Sequence, residues 1–187
     1  GRFHPRWEGQ TLIYRIEEGE VVPYYERSQI DGKEVLEGKN LEIAWAKDPV
    51  DVFFLQIQGS GRLVLPNGER RHIVYAGKNG RQYVSLGRVL VERGLLSAEE
   101  VSMQSIRDCL SRHPYLMREL LFTNPSYVFF SLAPDGPYGA MGKTLTPKFS
   151  LATDPELLPL GSALVYNVAL PSKDSENGLP LTALGSA

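Results

Sequence analysis

The prediction of the fold starts from the stretch Val50-Asp-Val-Phe-Phe-Leu-Gln-Ile-Gln58, which is followed by Gly59-Ser-Gly61. Its side chains alternate with a period of two, so that Phe53, Leu55 and Ile57 share one face, and this period predicts a β-strand. The glycines after it permit a tight or unusual backbone. The sequence therefore predicts that the centre of the chain is β structure.

The neighbouring segments extend this prediction in both directions. Residues 41–45 alternate in the same way and predict an earlier strand, which ends at Asp48-Pro49. Residues 63–65 and 73–75 predict two more strands, joined by the turn Pro66-Asn-Gly68. Together these segments predict a β meander.

The apolar period changes to that of a helix after Tyr83. Residues 86–90 predict a first short helix. Ser97 and Glu100 have the spacing of a capping box and predict the start of a second helix. Cys109 lies on the apolar side of this second helix and is predicted to be a core residue. Pro114 suits the first position of a third helix. Further strands are predicted over residues 127–132, 149–152 and 163–168. The predicted class is mainly β with a few short helices.

Composition excludes several classes of function. The chain has 187 residues, with 20 Lys+Arg against 22 Asp+Glu, so its net charge of −2 gives no bulk attraction to nucleic acid or an anionic membrane. It has one cysteine, so an intrachain disulfide is excluded. No apolar run approaches the roughly 18–20 residues of a transmembrane segment. We also interpret both ends of the chain as cuts through a larger protein.

The sequence contains no motif with the residue spacing that a nucleotide-binding or metal-binding site requires. Gly136-Pro-Tyr-Gly-Ala-Met-Gly-Lys-Thr144 has the wrong glycine spacing for a phosphate-binding loop, and Leu145-Thr-Pro147 follows it where a helix is required. The three histidines, His4, His72 and His113, are scattered without metal-ligand spacing. We expect neither a metal nor another cofactor.

Two features remain as candidates for glycan chemistry. Asp154 follows an apolar segment and precedes a proline, where it could present a carboxylate to a groove or form a structural turn. Amide, hydroxyl and aromatic side chains of the kind that contact neutral sugars form a second set: Gln56, Gln58, Ser60, Tyr75, Asn79, Tyr83, Asn124 and Tyr127. The alternative is that these amides complete turns while the aromatic rings fill the core.

Five segments suggest a family: Asp51-Val-Phe-Phe-Leu-Gln-Ile-Gln-Gly-Ser-Gly-Arg62, Tyr75-Ala-Gly-Lys-Asn-Gly80, Ser85-Leu-Gly-Arg-Val-Leu90, Ser102-Met-Gln-Ser-Ile-Arg107 and Asn124-Pro-Ser-Tyr-Val-Phe-Phe130. In this order they resemble the membrane-bound lytic murein transglycosylase A family. The likeness continues through Gly139-Ala-Met-Gly-Lys-Thr-Leu-Thr-Pro147, Ser150-Leu-Ala-Thr-Asp-Pro155 and Leu158-Pro-Leu-Gly161. It covers about residues 24–170, and the first 23 residues match poorly.

The resemblance implies a fold in which a second β domain is inserted into a double-psi β-barrel domain, with glycan in the groove between them. It implies that residues 1–23 are a lead-in, that residues 24–135 are the inserted domain with its short helices, and that residues 139–187 return partly into the catalytic barrel. It implies no cofactor and no metal. Gln58, Gly59, Ser60, Tyr75, Lys78 and Asn79 are the substrate-binding residues that we carry over from it.

The family's activity is non-hydrolytic cleavage of the β-1,4 bond between N-acetylmuramic acid and N-acetylglucosamine in peptidoglycan, which leaves a 1,6-anhydro end. One carboxyl protonates the leaving oxygen and then removes the proton of the muramic acid C6 hydroxyl, which attacks C1. The family's Asp for this step lies in a segment of Asp-x-Gly-Gly-Ala-Ile-x-Gly type after the equivalent of Leu181-Thr182, and we match no residue here to it. We therefore expect no catalytic residue in this chain, with Asp154 as the alternative.

The resemblance also implies peptidoglycan strands and other cell-wall enzymes as partners, and a place on the periplasmic side of the outer membrane. Two alternatives stay open. The chain could be a peptidoglycan-binding or scaffold module without turnover, or a glycoside hydrolase that uses Asp154 with water.

Overall fold

The structure, a computed structural model, describes residues 11–139, 143–172 and 175–187. The chain divides into two compact units, Gly1–Ala133 and Pro134–Ala187. The described part of the first unit consists of antiparallel sheets with a few short helices, and that of the second contains an antiparallel strand pair, which confirms the predicted class. Two segments lie partly outside the described residues. They are Gly136–Thr144, which does not have the spacing of a phosphate-binding loop, and residues 173–178, which belong to the predicted return into a barrel.

From residue 11 onward, the first unit has a hairpin, one helix that leads into a three-stranded sheet, and three more helices before the last strand. Its elements are β1 (Tyr14–Glu17), β2 (Glu20–Pro23), α1 (Pro49–Gln58), β3 (Ser60–Val64), β4 (Arg70–Lys78), α2 (Leu86–Glu92), α3 (Met103–Arg112), α4 (Pro114–Phe122) and β5 (Val128–Ala133). A π-helical turn at Ser28–Gly32 and a 3-10 turn at Ala98–Glu100 complete it.

The three-stranded sheet has the order β3-β4-β5, with both pairs antiparallel. The predicted strands 63–65, 73–75 and 127–132 are confirmed, although Leu65 and Tyr127 lie one residue outside β3 and β5. The register between β4 and β5 shifts between Tyr75 and Gly77, which leaves Ala76 as a bulge. A bulge bends the strand and redirects the side chains beside it, so the end of β4 is shaped differently from its start.

The predicted strand over residues 50–58 is wrong, because this segment is the helix α1. Asp48 caps the helix by accepting a 2.8 Å hydrogen bond from the Val50 amide, and Pro49 occupies the first turn. At the other end Gly59 adopts a left-handed conformation with φ 79° and donates to the Leu55 carbonyl. These capping residues at the two ends favour a helix, although the apolar residues between them alternate as in a strand.

Two other predicted strands are also absent. Residues 41–45 form no strand, because no neighbouring strand pairs with this segment among the described residues. Their apolar side chains Leu41, Ile43 and Trp45 are exposed. Within residues 149–152, Ser150 forms a single bridge to Ser186. Alternating apolar residues therefore mark strands in this chain only where a partner edge is available.

The predicted capping box is displaced by five residues along the chain. Ser97 precedes the short 3-10 turn, whereas Ser102 caps α3 through a reciprocal pair of hydrogen bonds with Ser105. Pro114 starts α4 as predicted. The sequence thus indicates the helix α3 and its apolar side, but of the two serines that precede the helix, Ser102 and not Ser97 is its N-cap.

The hydrophobic core of the first unit lies among the four helices. Its completely or nearly completely buried members are Phe53, Leu86, Leu90, Cys109, Leu110 and Leu120. Cys109 is a free thiol inside this cluster, which confirms its prediction as a core residue. The core holds the first half of α1 through Val50, Phe53 and Phe54.

The second unit is built on one long antiparallel pair, β6 (Ala163–Ser172) and β7 (Ser175–Ser186). The predicted strand over residues 163–168 is confirmed and is longer than expected. Val165, Val168 and Leu184 are exposed on it. A two-stranded sheet of this kind has little core of its own.

Candidate functional site

Two cavities of opposite charge lie in the first unit. The basic cavity, of about 430 Å³, is lined by the cations Arg27 and Lys78, with polar and aromatic residues that include Gln56, Tyr75, Tyr83 and Asn124. The acidic cavity, of about 500 Å³, is lined by Asp31, Glu34, Glu37 and Glu42 among apolar and aromatic side chains. Gln56 borders both. Among the described lining residues, the basic cavity has no acid and the acidic cavity has no base.

Besides Arg27 and Tyr83, which lie before the π-helical turn and before α2, three parts of the chain build the basic cavity. The carboxyl end of α1 supplies Gln56 and Gly59, the end of β4 supplies Tyr75 and Lys78, and the segment before β5 supplies Asn124 and its neighbours. These parts meet because β4 lies between β3 and β5 in the sheet. The bulge in β4 falls between the two β4 residues that line the cavity.

Lys78 sits on a backbone that is held at both edges. Its amide donates to the Thr11 carbonyl (2.9 Å), its carbonyl accepts from the Ile13 amide (2.8 Å), and on the other side it pairs with Val128. The side chain is half-buried, and burial lowers the pKa of its ammonium. Lys78 therefore presents a partly desolvated cation from a fixed position.

Arg27 is almost completely buried between the two cavities, with 3% of its surface exposed. Its Nε donates to the Asn124 carbonyl (3.1 Å) and its Nη2 to the Ser126 carbonyl (2.7 Å), while Nη1 lies 3.6 Å from the Asp31 carboxylate. The guanidinium also lies 4.8 Å from the centre of the Phe53 ring. Burial lowers the pKa of Arg27, but an arginine stays charged in proteins.

Asp31 and Tyr127 continue this cluster on the acidic side. The Tyr127 hydroxyl donates to the Asp31 carboxylate (3.1 Å). Burial, with the nearby Asp31 charge, raises the pKa of Tyr127, and burial also raises the pKa of Asp31. The ion pair joins a buried arginine to a partly exposed carboxylate, and Arg27 lines the basic cavity whereas Asp31 lines the acidic one.

Asn79 is part of the support of the basic cavity, not of its lining. It is completely buried, and its Nδ2 donates to the carbonyls of Tyr25 (2.9 Å) and Pro125 (2.8 Å). Its Oδ1 accepts from the amides of Tyr127 (2.9 Å) and Arg81 (3.3 Å). The whole side-chain amide is thus occupied in joining the end of β4 to the segments on either side.

The structure brings three of the six substrate-binding candidates together around the basic cavity, namely Gly59, Tyr75 and Lys78. Gln58 is exposed at the end of α1 and Ser60 begins β3, and neither lines the cavity. Tyr75 is 37% exposed, and its hydroxyl donates to the Thr11 carbonyl (3.0 Å). Its ring therefore remains open to a ligand while its hydroxyl is occupied.

Among the other residues that line the cavity, Gln56 belongs to the second set of candidates named from the sequence, and Arg27 to neither set. Gln56 is buried, and its Nε2 donates to the Val128 carbonyl (3.3 Å), while its Oε1 has no hydrogen-bond partner in the described part of the chain. Arg27 carries no signal in the sequence, because its carbonyl partners lie 97 and 99 residues away. Only the fold reveals its role.

Asp154 lies in the second unit and is exposed. Its Oδ1 accepts from the Glu156 amide (2.9 Å), and its carbonyl accepts from the Leu157 and Leu158 amides. This is the structural turn that the sequence left open as one of two roles.

Within residues 11–139, 143–172 and 175–187, no group of three or more His, Cys, Asp or Glu side chains is arranged to hold a metal ion. No helix in the same described ranges has the length and hydropathy to cross a membrane.

Comparison with known proteins gives one consistent family. A family model described as the MltA specific insert domain matches residues 2–131. The membrane-bound lytic murein transglycosylase A of Vibrio cholerae is 39% identical over 142 residues, which are 74% of this chain and 39% of that protein. The chain therefore spans well under half the length of this curated relative.

Solved structures agree with the sequence comparison. MltA from Neisseria gonorrhoeae, in its monoclinic form, has a TM-score of 0.79 at 37% identity, covering 94% of this chain and 44% of that one. Escherichia coli MltA with bound chitohexaose has a TM-score of 0.73 at 32% identity, covering 95% of this chain and 53% of that one. Both the sequence and the fold are thus similar to the same group of proteins.

Proposed function

Because the chain belongs to the membrane-bound lytic murein transglycosylase A family, we propose that it supplies the glycan-holding part of an enzyme that cleaves peptidoglycan. The basic cavity is the observation that carries this proposal. Tyr75 and Tyr83, which are 37% and 48% exposed, offer rings to sugar faces. A relative with chitohexaose bound supports a glycan as the ligand.

The proposed reaction belongs to the whole protein. A protonated carboxyl gives its proton to the glycosidic oxygen between N-acetylmuramic acid and N-acetylglucosamine, and the C–O bond at C1 breaks. The resulting carboxylate takes the proton of the C6 hydroxyl, whose oxygen bonds to C1 and closes the 1,6-anhydro ring. No water is consumed, and one acid serves both transfers, unlike the paired carboxylates of most glycosidases.

Within this chain the proposed role is binding. The described lining of the basic cavity contains no carboxyl group that could act as the acid. Gly59, Tyr75 and Lys78 are the proposed contacts, and Gln58, Ser60 and Asn79 are proposed to shape the surface around them. We further propose that residues 24–135 act as the inserted domain, that residues 139–187 contribute to the catalytic barrel, and that the enzyme works on the periplasmic side of the outer membrane beside other cell-wall enzymes.

Purified peptidoglycan sacculi test the proposal. The chain should sediment with sacculi and release no soluble sugar, whereas the whole protein should release fragments with 1,6-anhydromuramic ends, identified by mass spectrometry. Failure of both to bind would contradict the proposal. Binding by the whole protein without cleavage would favour a scaffold module instead.

The hydrolase alternative has its own decisive variant. Products with reducing ends would indicate attack by water, and Asp154→Asn would then abolish their release. Because the Asp154 carboxylate forms a turn in an exposed loop, we expect Asp154→Asn to leave the products of the whole protein unchanged.

A further inference from the structure

We propose that the acidic cavity is a docking site for a partner protein, and that it receives a segment carrying both apolar side chains and lysine or arginine. This surface is distinct from the basic cavity, and its occupant is not the glycan of the proposed function. Its apolar walls, its unpaired carboxylates and the segment of residues 41–46 along one side each favour such a partner.

The walls of the acidic cavity are mainly apolar and come from the helix α1 and the three-stranded sheet. Apolar side chains from all four of these elements line it: Val52 and Leu55 of α1, Leu63 of β3, Ile73 of β4, and Phe129 and Phe130 of β5. A concave apolar surface of about 500 Å³ can take up apolar side chains of a partner and remove them from water.

Residues 41–46, between the π-helical turn and α1, form another side of the acidic cavity. Trp45 is 85% exposed, and Leu41 and Ile43, which also line the cavity, are exposed as well. The backbone groups of this segment form no hydrogen bond to any residue in the described part of the chain. Both the apolar side chains and the backbone are therefore available to a peptide segment of a partner.

The acids of the cavity determine the charge of the partner. Asp31 already faces the Arg27 guanidinium at 3.6 Å. Glu34, Glu37 and Glu42 are exposed, and their carboxylates form no ion pair or hydrogen bond with the residues that the structure describes. The described lining contains no lysine, arginine or histidine to neutralise them. Three unpaired carboxylates beside apolar walls thus favour a partner with lysine or arginine.

Other classes of ligand fit this surface less well. Among the described side chains, no three or more acids, histidines or cysteines are arranged to hold a metal ion. A neutral glycan would leave the three carboxylates without partners, and an anionic membrane would be repelled by them. A protein segment with apolar and basic side chains uses both features of the cavity.

The fluorescence of Trp45 measures binding to the complete chain. The chain has two tryptophans, so Trp7→Phe leaves Trp45 as the single reporter. Because the Trp45 ring is exposed, its emission should shift to shorter wavelength when a peptide covers it.

Three synthetic peptides separate the two contributions to binding. In the first, lysine alternates with leucine or phenylalanine; the second has serine at the apolar positions; the third has glutamate at the lysine positions. The first peptide should bind at least about tenfold more tightly than either of the others. Added salt should weaken its binding.

Matched variants assign the binding to the acidic cavity. One variant replaces the three unpaired glutamates: Glu34→Gln, Glu37→Gln and Glu42→Gln. Its control makes the same change of charge at exposed positions outside both cavities: Glu18→Gln, Glu20→Gln and Glu99→Gln. The first variant should bind the lysine-containing apolar peptide about tenfold more weakly, whereas the control should stay within about twofold. Circular dichroism checks the fold of both.

A second pair of variants tests the apolar contacts. Leu41→Ser combined with Ile43→Ser should also weaken the binding of this peptide about tenfold, because both side chains line the cavity. Ile16→Ser combined with Val21→Ser, at exposed apolar positions of β1 and β2 outside both cavities, should leave the affinity unchanged.

Several results would overturn the proposal. They are no binding of the first peptide, equal binding of all three peptides, or equal losses in a variant and its control, since equal losses would indicate attraction by net charge or apolar surface alone. None of these would affect the proposed binding of glycan in the basic cavity. A shift of the Trp45 emission by chitohexaose would instead show that the acidic cavity holds glycan, which would contradict both proposals.

Discussion

Asn79 shows how one buried side chain can hold the site together. Asn79→Ala removes four hydrogen bonds to backbone groups of the surrounding segments. Because the abandoned donors and acceptors are buried, we expect the free energy of unfolding to fall by about 2–4 kcal/mol. Urea denaturation measures this loss.

The matched control is Asn67→Ala. Asn67 lies in an exposed turn, and its Oδ1 accepts one hydrogen bond, from the Glu69 amide (3.0 Å). Water can replace that bond, so we expect a loss of about 0.5 kcal/mol or less. Equal losses for Asn67→Ala and Asn79→Ala would show that the amide of Asn79 is not a structural link.

At the residue scale, the sequence identifies the region of the basic cavity but does not distinguish the side chains that line it from those that support it. It points to Gly59, Tyr75 and Lys78, which line the basic cavity, and also to Asn79, whose amide is used inside the protein. An amide suits a sugar and a buried turn equally well, and only burial distinguishes the two roles. Arg27 cannot be found from the sequence, because its partners are distant along the chain.

At the scale of elements, α1 is the main difference between expectation and structure. Its alternating apolar residues fit a strand, but its buried residues Val50, Phe53 and Phe54 have helical spacing and face the core. The end signals Asp48-Pro49 and Gly59 were visible in the sequence. Residues 41–45 are the opposite case. Their apolar residues alternate as in a strand, but no strand pairs with them among the described residues, and the sequence does not show that such a partner is missing.

The start of α3 gives a test of element-scale stability. Ser102→Ala removes the side chain that accepts from the Ser105 amide (3.1 Å) and with it the reciprocal cap. We expect a loss of about 1 kcal/mol in the free energy of unfolding, which is typical of an N-cap serine. Chemical denaturation measures the change.

Ser97→Ala is the comparison for this variant. The Ser97 hydroxyl donates to the exposed Glu100 carboxylate (2.9 Å) before a single 3-10 turn. We expect a loss of about 0.5 kcal/mol or less, because both groups remain accessible to water. A larger loss for Ser97→Ala than for Ser102→Ala would indicate that the helix begins at the earlier serine.

At the scale of the whole molecule, the two units differ in how much core they contain. Every member of the buried cluster, from Val50 to Leu121, belongs to the first unit. The second unit rests mainly on the pair β6–β7, along which Val165 and Leu184 are 78% and 60% exposed. We expect amides of β6 and β7 to exchange with deuterium faster than those of β4, α2 and α3.

Hydrogen exchange followed by mass spectrometry measures this difference on the chain alone. The peptides of β4 provide the internal control, because its central strand position pairs on both sides. Uniformly slow exchange through both units would show that the β6–β7 pair is as stable as the helical core.

The most direct test of the central claim, that the basic cavity holds glycan, is a titration of the ¹⁵N-labelled chain with chitohexaose followed by NMR. We predict that the largest amide shifts cluster at Gly59, Lys78 and Ser126, which surround that cavity. Shifts that cluster at Ile43 and Trp45 around the acidic cavity, or no shifts at all, would contradict it.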